Sequence, residues 1–130
     1  MHSSRLSMID ALYIGLGGMV GSLLRWWVGM GFDGAFPIPT LMINVLGAAA
    51  LGVLYASQHR LHPQGKYLYM VGFCGSFTTV SLFSLETIQL FQQGDWLLAS
   101  TNVLVPVLVS VVIVAIIIKP IEKSVERRLK

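Results

Sequence analysis

The chain has 130 residues, 55% of them hydrophobic and only 12% charged, with a mean hydropathy of +0.73. Soluble domains carry roughly 25% charged residues, and a chain this short has too little interior to hide so much apolar surface from water. The lone Cys74 excludes an internal disulfide, and the net charge of +3 falls on tails and one loop without aromatic interleaving, so lipid headgroups explain it better than nucleic acid.

One domain is expected, built from four apolar runs that each approach or exceed the roughly 20 residues needed to cross a bilayer as a helix. The first, residues 11–30, has Arg25 as its only charge. It is too long for a signal peptide and no small-residue cleavage pattern follows it. Gly15, Gly17, Gly18 and Gly21 fail the dinucleotide-loop spacing because Val20 stands where a glycine is needed. They read as a face for close helix contact, with Gly17 and Gly21 in small-xxx-small register. Arg25 has two readings: an anchor snorkelling along Trp26 and Trp27, or a cation that draws anions into a vestibule.

A turn with Gly31, Asp33 and Gly34 leads to the second run, residues 38–56, which has no charge. Pro37 and Pro39 suit its opening turn. Asn44, followed by the small patch Gly47–Ala50, is either glue between helices or a donor to a passing anion. The basic loop 57–66 holds His59 and His62, a poor metal pair without a third ligand nearby.

The third run, residues 67–91, contains "GFCGSFTTVSLFSLET", Gly72 to Thr87. Gly72, Gly75, Ser76, Thr78 and Thr79 argue against a continuous helix. Backbone that leaves the helix at membrane depth must be buried in protein or line water, and its freed carbonyls suit a cation such as Na⁺. Thr78, Ser81, Ser84 and Thr87 recur every third residue, a stripe that either packs or faces an ion path, with Glu86 just beside it. Phe77 and Phe83 either fill the core or turn a positive ring edge to an anion.

Gly94–Asp95 stops that run, and the fourth, residues 96–118, carries no charge. Pro120 is expected to end it, leaving 121–130 as a charged tail, amphipathic or frayed. Four spans put both termini and the middle loop on one side. Arg5, Arg60, Lys66, Lys119, Lys123, Arg127, Arg128 and Lys130 gather there, eight of the nine basic residues. The excess of positive charge makes that side cytoplasmic, with the chain in the inner (plasma) membrane. No catalytic constellation is present, so an enzyme is not expected.

Three segments together resemble the CrcB/Fluc family of fluoride channels: "GGMVGSLLRWWVG", "PTLMINVLGAAALG" and "GFCGSFTTVSLFSLET". The resemblance implies an all-α membrane protein of four transmembrane helices with the third broken. It implies an antiparallel, dual-topology-type dimer with two fluoride pores along the subunit interface. The partner is a second subunit, this chain or an oppositely oriented homologue, and the strong charge asymmetry favours a fixed orientation and a homologous partner. By the same resemblance Asn44, Phe83, Ser81, Thr79, Glu86, Arg25 and Ser110 belong to the anion path. The backbone carbonyls of Gly75 and Thr78 would hold a structural, untransported Na⁺. The chain departs from the family at Val80, where a first pore phenylalanine is usual, at Leu82, where a hydroxyl is usual, and in the fourth span. There Asn102, Pro106 and Ser110 align with an aromatic and two serines. Pro106 would free the Asn102 carbonyl and kink the helix. The function implied is passive export of cytoplasmic fluoride. The alternative is a proton-coupled multidrug exporter of four helices, which would place its carboxylate deep in the first helix, where this chain has none. A non-transporting membrane subunit would leave the broken, hydroxylated span unexplained.

Overall fold

The computed structural model describes residues 6–31 and 37–129, with side chains as far as residue 120. Arg5, Asp33, Gly34, Lys130 and the side chains of Lys123, Arg127 and Arg128, all used in the sequence reading, lie outside that description. Every element among the described residues is helical.

Helix α1 spans Met8–Gly29. It starts where Ser7 and Asp10 cap each other: Asp10 N–H donates to Ser7 Oγ at 3.1 Å and Ser7 N–H to Asp10 Oδ2 at 2.9 Å. This reciprocal bonding satisfies donors that the first turn would otherwise strand. Helix α2, Ile38–Ala56, opens at Pro37 with Pro39 in its first turn, where a missing N–H costs no intrahelical bond. A 3-10 turn, Gln58–Arg60, and the short helix α3, Pro63–Lys66, lead into the third span.

That span, Pro63–Gln92, is made of unlike pieces. Residues Tyr67–Cys74 wind as a π-helix, Gly75–Phe77 form one α turn (α4), and helix α5 covers Ser81–Gln92. Between them Thr78 is extended, at φ −75° and ψ 156°. Gly94, at φ 85°, then turns the chain into helix α6, Trp96–Leu129.

The break lies at Thr78–Val80, at the two threonines expected to disturb the helix and not at Gly72. Gly72 stays helical because it has a different task. A methyl group there would stand 2.5 Å from the Ile14 carbonyl oxygen and 3.0 Å from Gly17 Cα. A methyl on Gly21 would meet the Phe73 carbonyl oxygen at 2.5 Å, and one on Gly17 would strike that of Leu68. Helix α1 and the π-helical segment therefore touch backbone to backbone, as small residues permit between helices in lipid. Gly15 is not part of this contact, since nothing lies within 4 Å of the space beside it. Phe77 is buried and stacked on Phe73 at 5.6 Å between centroids, which makes it a packing residue.

The third span changes partner at its break. Its first half packs on α1, and α5 packs on α6, which also lies along α2. Helix α6 corrects a second expectation, for it runs through Pro106 and Pro120 without ending. Each proline removes one backbone bond, and the intact turns on either side carry the helix past that loss. Outward faces are apolar, with Leu16, Met19 and Leu23 of α1 and Leu104, Leu108 and Val111 of α6 exposed. This is the surface of a protein whose solvent is lipid.

Candidate anion path and the broken span

Helix α2 aims three residues, spaced i, i+4 and i+7, at the break. Thr40 is buried and donates from Oγ1 to Glu86 Oε1 at 2.7 Å. Asn44 grips the Thr79 peptide on both sides: its Oδ1 accepts from Thr79 N–H at 2.9 Å, and its Nδ2 donates to the Thr79 carbonyl at 3.1 Å. Gly47 leaves room for Thr78, whose Cγ2 occupies the space that a methyl on Gly47 would take. The spacing sets all three on one helix face, so an otherwise apolar span presents a polar seam to the unwound residues.

The seam explains why the chain leaves the helix where it does. In a continuous α-helix the Thr79 N–H would bond to the Gly75 carbonyl and the Leu82 N–H to the Thr78 carbonyl. Asn44 Oδ1 takes the first of these donors, and Thr79 Oγ1 takes the second at 3.2 Å. Thr79 thus caps α5 in the manner of an N-terminal threonine. Among the described residues neither the Gly75 nor the Thr78 carbonyl accepts a hydrogen bond. Both are backbone oxygens with lone pairs available at membrane depth.

A cavity of about 830 Å³ opens beside the break. Thr79, Ser81 and Glu86 line its inner part, while Arg25, Trp26, Gln89 and Gln93 line it further out along α1 and α5. Thr79 Oγ1 and Ser81 Oγ lie 3.3 Å apart. Glu86 Oε2 is buried without a partner, so the carboxyl is held by Thr40 on one oxygen only. Replacing Thr40 by valine keeps the shape and removes that hold. Because a hydrogen bond is worth about 0.5–1.5 kcal/mol net and about 1.4 kcal/mol is a factor of ten, anion flux through reconstituted Thr40→Val is expected to fall by up to about tenfold. A liposome efflux assay at matched protein density measures this, and an unchanged rate would remove Thr40 from the path.

The expected stripe of hydroxyls does not keep to one face. Thr78, at the start of the break, bonds back to the Cys74 carbonyl at 3.0 Å. Ser81 and Ser84 are exposed, and Ser84 donates to the Val80 carbonyl at 2.9 Å. Thr87 is buried against α6, donating to the Phe83 carbonyl at 2.8 Å and accepting from Asn102 Nδ2 at 2.9 Å. A three-residue step falls short of a full 3.6-residue turn, so the row winds around the helix. Ser81 therefore remains beside the cavity while Thr87 turns inward.

Arg25, Thr79, Ser81 and Glu86 share one cavity, and Asn44 reaches it through the Thr79 peptide. Phe83 is half-buried on α5 and Ser110 half-buried on α6, and neither lines this cavity. Sequence reasoning missed Thr40, Gln89 and Gln93. Thr40 had a readable signal, its i, i+4, i+7 spacing with Asn44 and Gly47 on an apolar helix. Gln89 on α5 and Gln93 at its C-terminal cap stand four apart, a spacing that surface residues share. His59 and His62 are exposed, and no group of three metal-ligating side chains occurs among the described residues.

Four helices long and apolar enough to span a bilayer, with a polar break in the third that faces a cavity, define a helical membrane protein. Residues 12–118 match the family described as CrcB-like protein, Camphor Resistance (CrcB), and the chain belongs to that family. It is 41% identical over 104 residues to the fluoride-specific ion channel FluC of Shewanella oneidensis, covering 75% of this chain and 84% of that one. The proteins of the same name from Shewanella sp. strain ANA-3 and Shewanella baltica OS155 are 41% and 40% identical over the same lengths. These relatives are ion channels by name, which does not favour the multidrug exporter.

Proposed function

We propose that this chain is a subunit of a fluoride channel that lets cytoplasmic fluoride leave the cell passively. The observation that carries the reading is the Asn44 clamp on the Thr79 peptide beside a polar cavity. Fluoride is small and tightly hydrated, so a pore must offer strong donors in place of its shell. Asn44 has two N–H groups and commits one of them to Thr79. The Thr79 and Ser81 hydroxyls lie next along the path, and Arg25 gives the outer cavity a positive charge without placing a fixed cation at depth, where it would trap the ion. Phe83 and Ser110, at a distance from this cavity, take part where a second subunit closes the pore.

The pore lies between two antiparallel subunits. Gly75, Val80, Ser81 and Ser84 are exposed at and beside the break, and a second subunit would cover them. Each subunit would offer the carbonyls of Gly75 and Thr78 to a Na⁺ ion. These oxygens suit the ion because no hydrogen bond occupies them. When bound, Na⁺ supplies the positive charge that neutralises converging carbonyl dipoles. The charge bias of the loops supports cytoplasmic termini in the inner membrane and a fixed orientation.

Purified chain in liposomes loaded with potassium fluoride, or in parallel with potassium chloride, tests the reading. With valinomycin carrying the counter-ion, fluoride is expected to discharge within seconds without a proton gradient, while chloride stays inside. Liposomes that retain fluoride, both with this chain alone and with an oppositely oriented homologue added, would refute it.

A further inference from the structure

We infer that Asn44 and Thr79 are positioning residues for the cation site: they keep it open by diverting the two amide hydrogens that would otherwise close it. The inference rests on the reading that the Gly75 and Thr78 carbonyls hold Na⁺. A hard cation is bound by oxygen lone pairs, and a carbonyl already accepting an amide hydrogen is a poorer ligand. Helical geometry assigns the Thr79 N–H to Gly75 and the Leu82 N–H to Thr78. In this chain the first goes to Asn44 Oδ1 at 2.9 Å and the second to Thr79 Oγ1 at 3.2 Å.

The two diversions are linked through one residue. Thr79 gives its N–H to Asn44 and receives the Leu82 N–H on its own hydroxyl, so the capture of one donor orients the group that captures the other. Thr79 is 4% exposed, so little water competes for its own N–H. Asn44 therefore serves two ions through different atoms. Oδ1 keeps a carbonyl free for the cation, and the uncommitted N–H remains for the anion.

Different substitutions separate these tasks. Asn44→Asp keeps an acceptor for Thr79 N–H but has no N–H to give, whereas Asn44→Leu has neither. Thr79→Val keeps the volume and loses the oxygen that holds Leu82 N–H, and Thr79→Ser keeps it. The readout is the melting temperature of the detergent-solubilised full chain in sodium chloride against choline chloride. Wild type, Thr79→Ser and Asn44→Asp are expected to gain roughly 5 °C or more in sodium. Thr79→Val and Asn44→Leu are expected to lose most of that gain. Should Asn44→Leu fail to fold, Thr79→Val still decides the matter.

A sodium response in Thr79→Val equal to that of wild type overturns the inference. A wild-type chain that discharges fluoride but ignores sodium also overturns it, while the channel reading stands. A wild-type chain that responds to sodium and never discharges fluoride, alone or with an oppositely oriented homologue, with the variants behaving as above, upholds the inference and refutes the channel.

Discussion

Replacing Gly72 by leucine is expected to destroy the fold, and replacing Gly15 by alanine in the same span pair to improve it slightly. Gly72 faces three backbone atoms of α1: a methyl would lie 2.5 Å from the Ile14 carbonyl oxygen, 3.0 Å from Gly17 Cα and 3.1 Å from Gly18 N. None of these is the movable end of a side chain, so relief requires α1 to back away. Adding volume to a packed core costs about 1–3 kcal/mol even where neighbours can shift, and that range is the expected cost of Gly72→Ala. Gly72→Leu goes further and separates α1 from the first half of the third span. Gly15 meets nothing within 4 Å, so Gly15→Ala gains about 0.5–1 kcal/mol of helix propensity. Monodispersity on size exclusion and melting temperature in detergent give the order Gly15→Ala, wild type, Gly72→Ala, Gly72→Leu. A stable, monodisperse Gly72→Leu chain would mean that the two helices are not in backbone contact.

The same glycines show what the sequence can and cannot convey. Four spans follow from apolar run length, because lipid leaves the backbone no partner but itself. A disturbed third span was legible in its glycines and hydroxyls. Thr78 and Thr79 marked its place, but the role of Gly72 was not legible, because a glycine reads alike whether it breaks a helix or admits a neighbouring backbone. Gly72 does the second. The break is fixed instead by Asn44, 35 positions away from Thr79, through bonds that exist only once α2 and the third span have met. Pro120 failed as a stop signal for a related reason: the penalty of a proline is local, and a long helix can bear it. Asn102 was noticed for its place in the fourth span. Its actual bond, to the Thr87 hydroxyl, depends on how α5 rotates after the break, which no periodicity encodes.

Asn44→Ala should give the largest loss of flux of any substitution that leaves the helices packed. The change removes two hydrogen bonds and strands the Thr79 N–H and carbonyl in a residue that is 4% exposed. A buried unsatisfied group costs about 1–3 kcal/mol, so the peptide cannot stay as it is. The nearest remedy for the N–H is the Gly75 carbonyl, the partner that helical geometry would have assigned. Taking it extends α4 through Thr78 and Thr79, turns the Thr79 hydroxyl away from Ser81, and heals part of the break. Two effects then combine, loss of the amide donor and loss of the unwound geometry. Fluoride efflux is expected to fall at least about a hundredfold, which is about 2.8 kcal/mol at 1.4 kcal/mol for each factor of ten. Hydrogen exchange separates the two contributions. If the break heals, the Thr79 amide exchanges no faster in Asn44→Ala than in wild type, because it has found a new partner. If it stays open without one, exchange quickens where water reaches the cavity. Efflux from Asn44→Ala within a factor of two of wild type, at equal reconstitution, would show that the path does not pass this residue.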